Sequence, residues 1–147
     1  MPLQMIEGLL TREEGGVWFV PGEVEARKVQ AAARKHKLAF FHVDGRNVQR
    51  KEQLMTALQT ALDLPAHFGH NWDALEECLT DLAPVDGAGY FLLYDHIDGL
   101  MQAHPDQFET LVEILRDAVS SWQEDDTRMM VVLAGAKPPK GVAKARA

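Results

Sequence analysis

Three carboxylates share one side of a short predicted helix in the middle of the chain. Asp73 lies three and four residues before Glu76 and Glu77, and at about 100° per residue this spacing puts all three on one face. The apolar residues of this helix lie roughly 130° away; they are Trp72, Leu75, Leu79 and Leu82. The helix dipole explains an acid near a helix N-terminus, but it explains three acids without an intervening base less well. The face is therefore either simply solvated or built to bind a cationic partner.

Metal binding is the second chemistry that this region offers. Five residues of ligand type fall close together: His67, His70, Asp73, Glu77 and Cys78. No His-Glu-x-x-His pattern is present, and a single cysteine in a helix is more often a small buried hydrophobe than a ligand. A metal-binding hydrolase that uses His67, His70, Asp73 and Glu77 is therefore the alternative function. The favoured interpretation requires no metal and no other cofactor.

The usual signatures of catalysis are missing from the sequence. No run of spaced glycines ends in Gly-Lys, and the glycine-containing stretch 86–89 precedes a predicted strand rather than following one. The chain contains no Gly-x-Ser-x-Gly, and its many carboxylates include no pair with clearly different surroundings. We therefore predict that the protein is not an enzyme.

Charge is distributed very unevenly along the chain. The formal net charge is −7, and residues 63–126 contain fifteen acidic side chains against a single basic one, Arg116. Such a surface repels phosphate backbones and attracts basic proteins. An acidic surface that serves only solubility is the simpler explanation. Direct binding of nucleic acid is disfavoured in both cases.

Length and composition indicate one globular domain. The chain has 147 residues, of which 46% are hydrophobic and 25% are charged. Its longest apolar runs are much shorter than the roughly 20 residues that cross a bilayer. The first residues lack a basic start, and Cys78 has no second cysteine to pair with. We expect a cytoplasmic protein.

Strands and helices alternate along the chain. Apolar runs typical of strands cover 15–20, 38–43, 90–94 and 129–133. Helices are predicted over 23–36 and 49–62, after Asn71 as N-cap, and from Pro105. This order predicts an α/β domain with three or four parallel strands. We expect residues 18–20 to form a strand that pairs beside 38–43 at the sheet edge. The nearly continuous apolar run 38–43 should be covered on both faces. The basic tail 135–147 is expected to be disordered.

One stretch carries a recognisable motif. The pattern Leu64-Pro65-x-x-Phe68-Gly69-x-Asn71-x-Asp73-Ala74-Leu75-x-Glu77-Cys78-Leu79 resembles the signature of the barstar family, intracellular inhibitors of secreted bacterial ribonucleases. The resemblance covers residues 38–134. It implies a small parallel sheet of three strands flanked by helices. Residues 1–37 would then form an N-terminal extension with an extra strand and helix, followed by the domain at 38–134 and the tail at 135–147.

The resemblance also implies a function and a set of partner-binding residues. In this family the loop and helix of the motif block the ribonuclease active site, with acids in the place of substrate phosphates. The corresponding residues are His67, Gly69, Asn71, Asp73, Glu76, Glu77 and Asp117. Glu77 stands at the main interface aspartate of the family, Asp73 matches a second one, and Asp117 matches an acid on the later helix.

Two positions depart from the family pattern. His67 stands at a tyrosine and Glu76 at a tryptophan, so the aromatic anchors of the family are replaced. The implied partner is a basic ribonuclease or related nuclease, and the departures favour one that differs from the type enzyme. The sequence specifies neither that nuclease nor the oligomeric state.

Overall fold

The computed structural model describes residues 2–13, 15–65, 68–83 and 87–146, which form a parallel sheet with helices on both faces. The strands are β1 (Gly16–Pro21), β2 (Leu38–Asp44), β3 (Gly89–Asp95), β4 (Arg128–Gly135) and β5 (Ala143–Lys144), in the spatial order β2-β3-β4-β1-β5. The helices are α1 (Pro2–Thr11), α2 (Ala26–Lys35), α3 (Lys51–Leu62), α4 (Trp72–Leu79), α5 (Asp98–Ala103) and α6 (Pro105–Glu124). The predicted α/β class with a parallel sheet is confirmed. None of the described helices has the length and apolarity needed to cross a membrane.

The two middle strands determine how the helices are arranged. Every residue of β3 is buried, as is every residue of β4 after Arg128. Strands buried on both faces need helices on both faces. Helices α3 to α6 cover one face through a core that includes Leu58, Leu75, Leu79, Leu92, Leu115 and Val131. Helices α1 and α2 cover the other through Ile6, Leu9, Val29, Phe91 and Val132.

The position predicted for the first strand is wrong. Strand β1 does not pair with β2; it pairs with β4, with Val17 opposite Val131 and Phe19 opposite Leu133. The apolar strand β4 therefore has a neighbouring strand along each of its edges, β3 on one side and β1 on the other. Strand β2 forms one outer edge of the sheet; helix α2 packs on one of its faces and helix α3 on the other, and its edge position leaves several residues, His42 among them, only partly buried.

The prediction of a disordered tail is wrong for the segment around β5. Ala143–Lys144 pairs with β1, and the flanking Val142 and Ala145 are buried. Arg116 of α6 donates a hydrogen bond to the carbonyl of Gly141. Only two side chains of this segment are buried, and lysines and prolines precede them, which is why the composition of the tail suggested disorder.

Two further helices were not anticipated. Helix α1 buries Ile6, Leu9 and Leu10, a spacing of three and four residues that is typical of an amphipathic helix. Helix α5 has only six residues and buries Leu100 alone, so its sequence carries little periodic signal.

Removing residues 141–147 should lower the free energy of unfolding by about 2–4 kcal/mol, because Val142 and Ala145 lose their buried contacts. Chemical denaturation of the full and shortened chains measures this difference. A chain that lacks only residues 146–147 is the matched control and should change by no more than about 0.5 kcal/mol. Equal stability of the two shortened chains would show that β5 contributes nothing.

Candidate partner-binding site

The loop before α4 is fixed by its own polar groups. Asn71 is the N-cap of α4, and its Oδ1 accepts a hydrogen bond from the Ala74 backbone N–H at 2.8 Å. His70 has a left-handed backbone (φ 51°), and its Nε2 lies 2.7 Å from Oε1 of Gln59 on α3. The predicted N-cap is therefore confirmed, and the loop is tied to the preceding helix.

The underside of α4 is held by the core and by α6. Leu75 and Leu79 are fully buried. Trp122 of α6 donates its indole N–H to the backbone carbonyl of Leu79 at 2.8 Å, which satisfies one of the carbonyls at the end of α4. The Thr80 hydroxyl bonds the carbonyls of Glu76 and Glu77. Both ends of this eight-residue helix are thus fixed in place.

The outer side of α4 is acidic. Asp73 and Glu77 are exposed and Glu76 is half-buried, while Asp117 is exposed on α6, which packs against α4. Within the described parts of the chain, none of these four carboxylates forms an ion pair. We call these four residues the acidic face.

Two cations, one on α6 and one on α3, have contacts other than with the acidic face. Arg116 precedes Asp117 but donates to the Gly141 carbonyl. Lys51, at the start of α3, lies over the Trp72 ring with its Nζ 5.2 Å from the centroid. The acidic face therefore keeps its negative charge available to a partner.

The remaining predicted site residues, His67, Gly69 and Asn71, are not part of the acidic face. His67 lies outside the described residues. Gly69 is exposed, and a Cβ there would come within 3.0 Å of Asn71 Nδ2, so Gly69 and Asn71 shape the loop itself. The assignment of these residues to a partner interface stays a prediction.

Of the metal site considered as an alternative, His67 lies outside the described residues, and the described members His70, Asp73, Glu77 and Cys78 form no grouping of metal ligands. His70 is hydrogen-bonded to Gln59, and burial together with the charges of Glu77 and Asp81 raises the pKa of the Cys78 thiol, which keeps it protonated. Among the described residues, the one grouping of three potential ligands is Asp44, Asp95 and His96, on other elements.

That second polar grouping lies where β2 and β3 end. His42 Nε2 is 3.0 Å from Asp95 Oδ2, and this hydrogen bond raises the pKa of His42. Burial raises the pKa of Asp95, but the hydrogen bond with His42 and the electrostatic interactions with His42 and His96 outweigh burial and leave the pKa below its ordinary value. The Arg46 guanidinium, which binds Asp44, holds the pKa of that carboxyl at about 2.

Sequence reasoning missed this grouping, although a signal was present. Two predicted parallel strands are each followed directly by an aspartate, Asp44 and Asp95, and the two residues are opposite each other in the register. Because parallel strands end at the same edge of a sheet, the two carboxylates had to meet.

The sequence identifies the family. The model of the family described as "Barstar (barnase inhibitor)" matches residues 38–134, which is most of the chain. The protein belongs to the barstar family. No curated protein matches the chain in sequence.

Solved structures resemble the chain in fold alone. The ORC2 protein of Aeropyrum pernix, determined in ADPNP and ADP complexes, has a TM-score of 0.59 at 13% identity over 92% of this chain. The chain spans 39% of that protein's length. Drosophila ORC bound to AT-rich DNA and Cdc6 gives a TM-score of 0.48 at 16% identity, covering 92% of this chain and 48% of the other. Drosophila ORC bound to DNA gives 0.43 at 16% identity, covering 95% and 82%.

Asn71→Ala should lower the free energy of unfolding by about 1 kcal/mol, because the N-cap acceptor for the Ala74 N–H is lost. Asn71→Ser is the matched control, since serine also caps helices well and should keep most of the stability. Thermal or denaturant unfolding measures both. If the alanine and serine variants are equally destabilised, the cap hydrogen bond is not the reason.

Proposed function

We propose that this protein is an intracellular inhibitor that binds the cationic active site of a bacterial ribonuclease or related nuclease through its acidic face. The observation that carries the proposal is the anchoring of α4. Leu75, Leu79 and the Trp122 hydrogen bond fix one side of the helix, while Asp73 and Glu77 project on the exposed side. The membership of the barstar family supports the same class of partner.

The chemistry of nucleases explains why such a face would inhibit them. An enzyme that cleaves a phosphodiester must hold phosphate, so its cleft is lined with cations. Carboxylates on a rigid helix occupy such a cleft in place of phosphates without a large ordering cost on binding. Complementary charge also steers the two proteins together and raises the association rate. Glu77, supported by Asp73 and Asp117, is the proposed centre of the interface.

The two departures from the family pattern bear on the choice of partner. Glu76, at a tryptophan position of the family, is half-buried beside Glu77 and adds charge where an aromatic anchor would add apolar contact. The interface should therefore depend more strongly on charge and select a nuclease with a more cationic rim. We propose that the protein works in the cytoplasm, where a cell that makes a secreted ribonuclease needs protection.

The Aeropyrum pernix ORC2 protein, which has a similar fold, was determined with ADPNP and ADP. This chain lacks the loop that would bind the phosphates of such a nucleotide. A phosphate-binding loop after a strand needs spaced glycines followed by Gly-Lys. Strand β1 is followed instead by Gly22, Glu23, Val24 and Glu25, and Glu25 is the N-cap of α2. Carboxylates at this position repel phosphate. These residues argue against phosphate binding at the end of β1.

Glu77→Lys should weaken binding to the target nuclease at least about 100-fold, because like charges opposed across an interface cost several kcal/mol. The measurement is inhibition of a panel of purified basic bacterial ribonucleases by the full chain, and the variants are compared on the ribonuclease that the parent chain inhibits. Glu7→Lys makes the same charge change at an exposed position of α1, which covers the opposite face of the sheet, and should bind normally. Both variants should keep their stability within about 0.5 kcal/mol.

The result that would overturn the assignment is equal inhibition by Glu77→Lys and the parent chain. Equal weakening by Glu77→Lys and Glu7→Lys would also contradict it, because net charge rather than a defined face would then control binding. Raising salt should slow association of the parent chain, since exposed charges are screened beyond roughly 10 Å at about 0.1 M.

The purified chain should not hydrolyse RNA, with or without added divalent metal. The acidic face repels an RNA substrate, and the described residues assemble no metal site around His70, Asp73 and Glu77. A fluorogenic RNA assay measures this. Reproducible turnover that is lost in His67→Ala or His70→Ala would favour the hydrolase alternative instead.

A further inference from the structure

A second potential binding site lies at the ends of β2 and β3, on elements that the acidic face does not use. We propose that Asp44, Asp95 and His96 bind a divalent transition-metal ion, for which Zn²⁺ is the best match. This property is additional to the proposed inhibition and does not depend on it.

The three side chains lie close together, slightly farther apart than they would be around a bound metal ion. One ligand atom from each lies within 4.8 Å of the other two. Zinc ligands lie about 2 Å from the ion, so the coordination sphere has a diameter of about 4 Å. The backbone makes this approach possible, because Asp44 and Asp95 are opposite each other in the parallel register. Gly45 follows, where a Cβ would lie 2.3 Å from the Asp95 carbonyl oxygen.

Two buried atoms in the cluster lack hydrogen-bond partners. The Asp95 side chain is only 7% exposed, and its Oδ1 accepts no hydrogen bond. His96 Nδ1 is also buried without a hydrogen-bond partner, and it lies 3.3 Å from that oxygen. The two atoms lie at ion-pair distance but without the geometry of a hydrogen bond, so neither buried atom has a well-formed partner. A cation bound between them would satisfy both atoms.

The neighbouring groups hold Asp95 in the required orientation. His42 Nε2 lies 3.0 Å from Asp95 Oδ2, which leaves Oδ1 directed at His96. Carboxylate ligands of metals are commonly oriented by such outer hydrogen bonds. His42 is therefore a positioning residue rather than a ligand.

The mixture of ligand types selects the kind of ion. Mg²⁺ and Ca²⁺ prefer sets made of oxygen atoms, whereas zinc accepts an imidazole nitrogen together with carboxylates. One nitrogen and two carboxylates therefore favour Zn²⁺ over the alkaline-earth ions. Three protein ligands leave at least one position for water or a further group.

The side chain of Arg46 competes with a metal ion for one of the ligands, Asp44. The Arg46 guanidinium binds Asp44 through Nε and Nη2, but the Arg46 side chain is 68% exposed and easily displaced. A metal ion must share or replace this contact. Arg46→Gln should therefore strengthen metal binding, whereas loss of a ligand should weaken it.

The test is a titration of the full chain, stripped with EDTA, against Zn²⁺ by calorimetry, and against Co²⁺ by visible absorption. We expect one ion per chain and weaker binding of Mg²⁺. His96→Gln and Asp44→Asn should each lower the affinity at least about tenfold. Circular dichroism checks that both variants fold. If His96→Gln disturbs the fold, Asp44→Asn, which changes the more exposed of the two ligands, provides the test. His104→Gln, at an exposed histidine without a side-chain cap bond, is the matched control and should bind as the parent does.

Several outcomes would overturn the proposal. These are the absence of stoichiometric Zn²⁺ binding, unchanged affinity in both ligand variants, or a loss in His70→Gln that matches the loss in His96→Gln. Weaker Zn²⁺ binding by Arg46→Gln would contradict the role of Asp44. Inhibition assays with the stripped chain keep the two proposals separate, because the acidic face uses none of these residues.

Discussion

The burial of β3 and β4 on both faces is the constraint on which the rest of the structure depends. A strand that is apolar on both sides must be covered from both sides, so the core needs helices in two layers. One layer comes from the first 35 residues, through α1 and α2, and the other from α3 to α6. Helix α4 has its position because Leu75 and Leu79 fill part of the second core. The arrangement of the acidic face is therefore a consequence of packing around the two middle strands.

This packing also determines how α4 presents its charges. A helix of eight residues is too short to be stable alone in water, so its order comes from its contacts. Asn71 caps the first turn, Trp122 binds the carbonyl of Leu79, and two leucines enter the core. The carboxylates on the opposite side belong to a backbone that is already ordered. Exposed acids on a flexible loop would lose much more conformational entropy on binding a partner.

Local patterns in the sequence predicted most of the elements but not their arrangement. The helical spacing of the apolar residues located α3 and α6, and Asn71 was identified as an N-cap from its residue type and place. The pairing of β1 with β4 depends on contacts between residues far apart in the chain, which no local pattern encodes. The segment around β5 has too few apolar residues to give a signal. The acidic face followed from helical periodicity, whereas the grouping at Asp44 and Asp95 depends on which strands are neighbours.

The pairing of β1 with β4 has a consequence for how the protein folds. Gly16 is opposite Met130, 114 positions later in the chain, so β1 leaves the ribosome long before its partner does. During that interval the apolar residues of β1 have no sheet to join, and α1 and α2 have only part of their core. Such long-range pairing slows folding and leaves apolar segments exposed to aggregation or to chaperones. Strand β1 can join the sheet only after β4 has been synthesised. The core that fixes α4 is therefore completed late, and folding must largely follow synthesis.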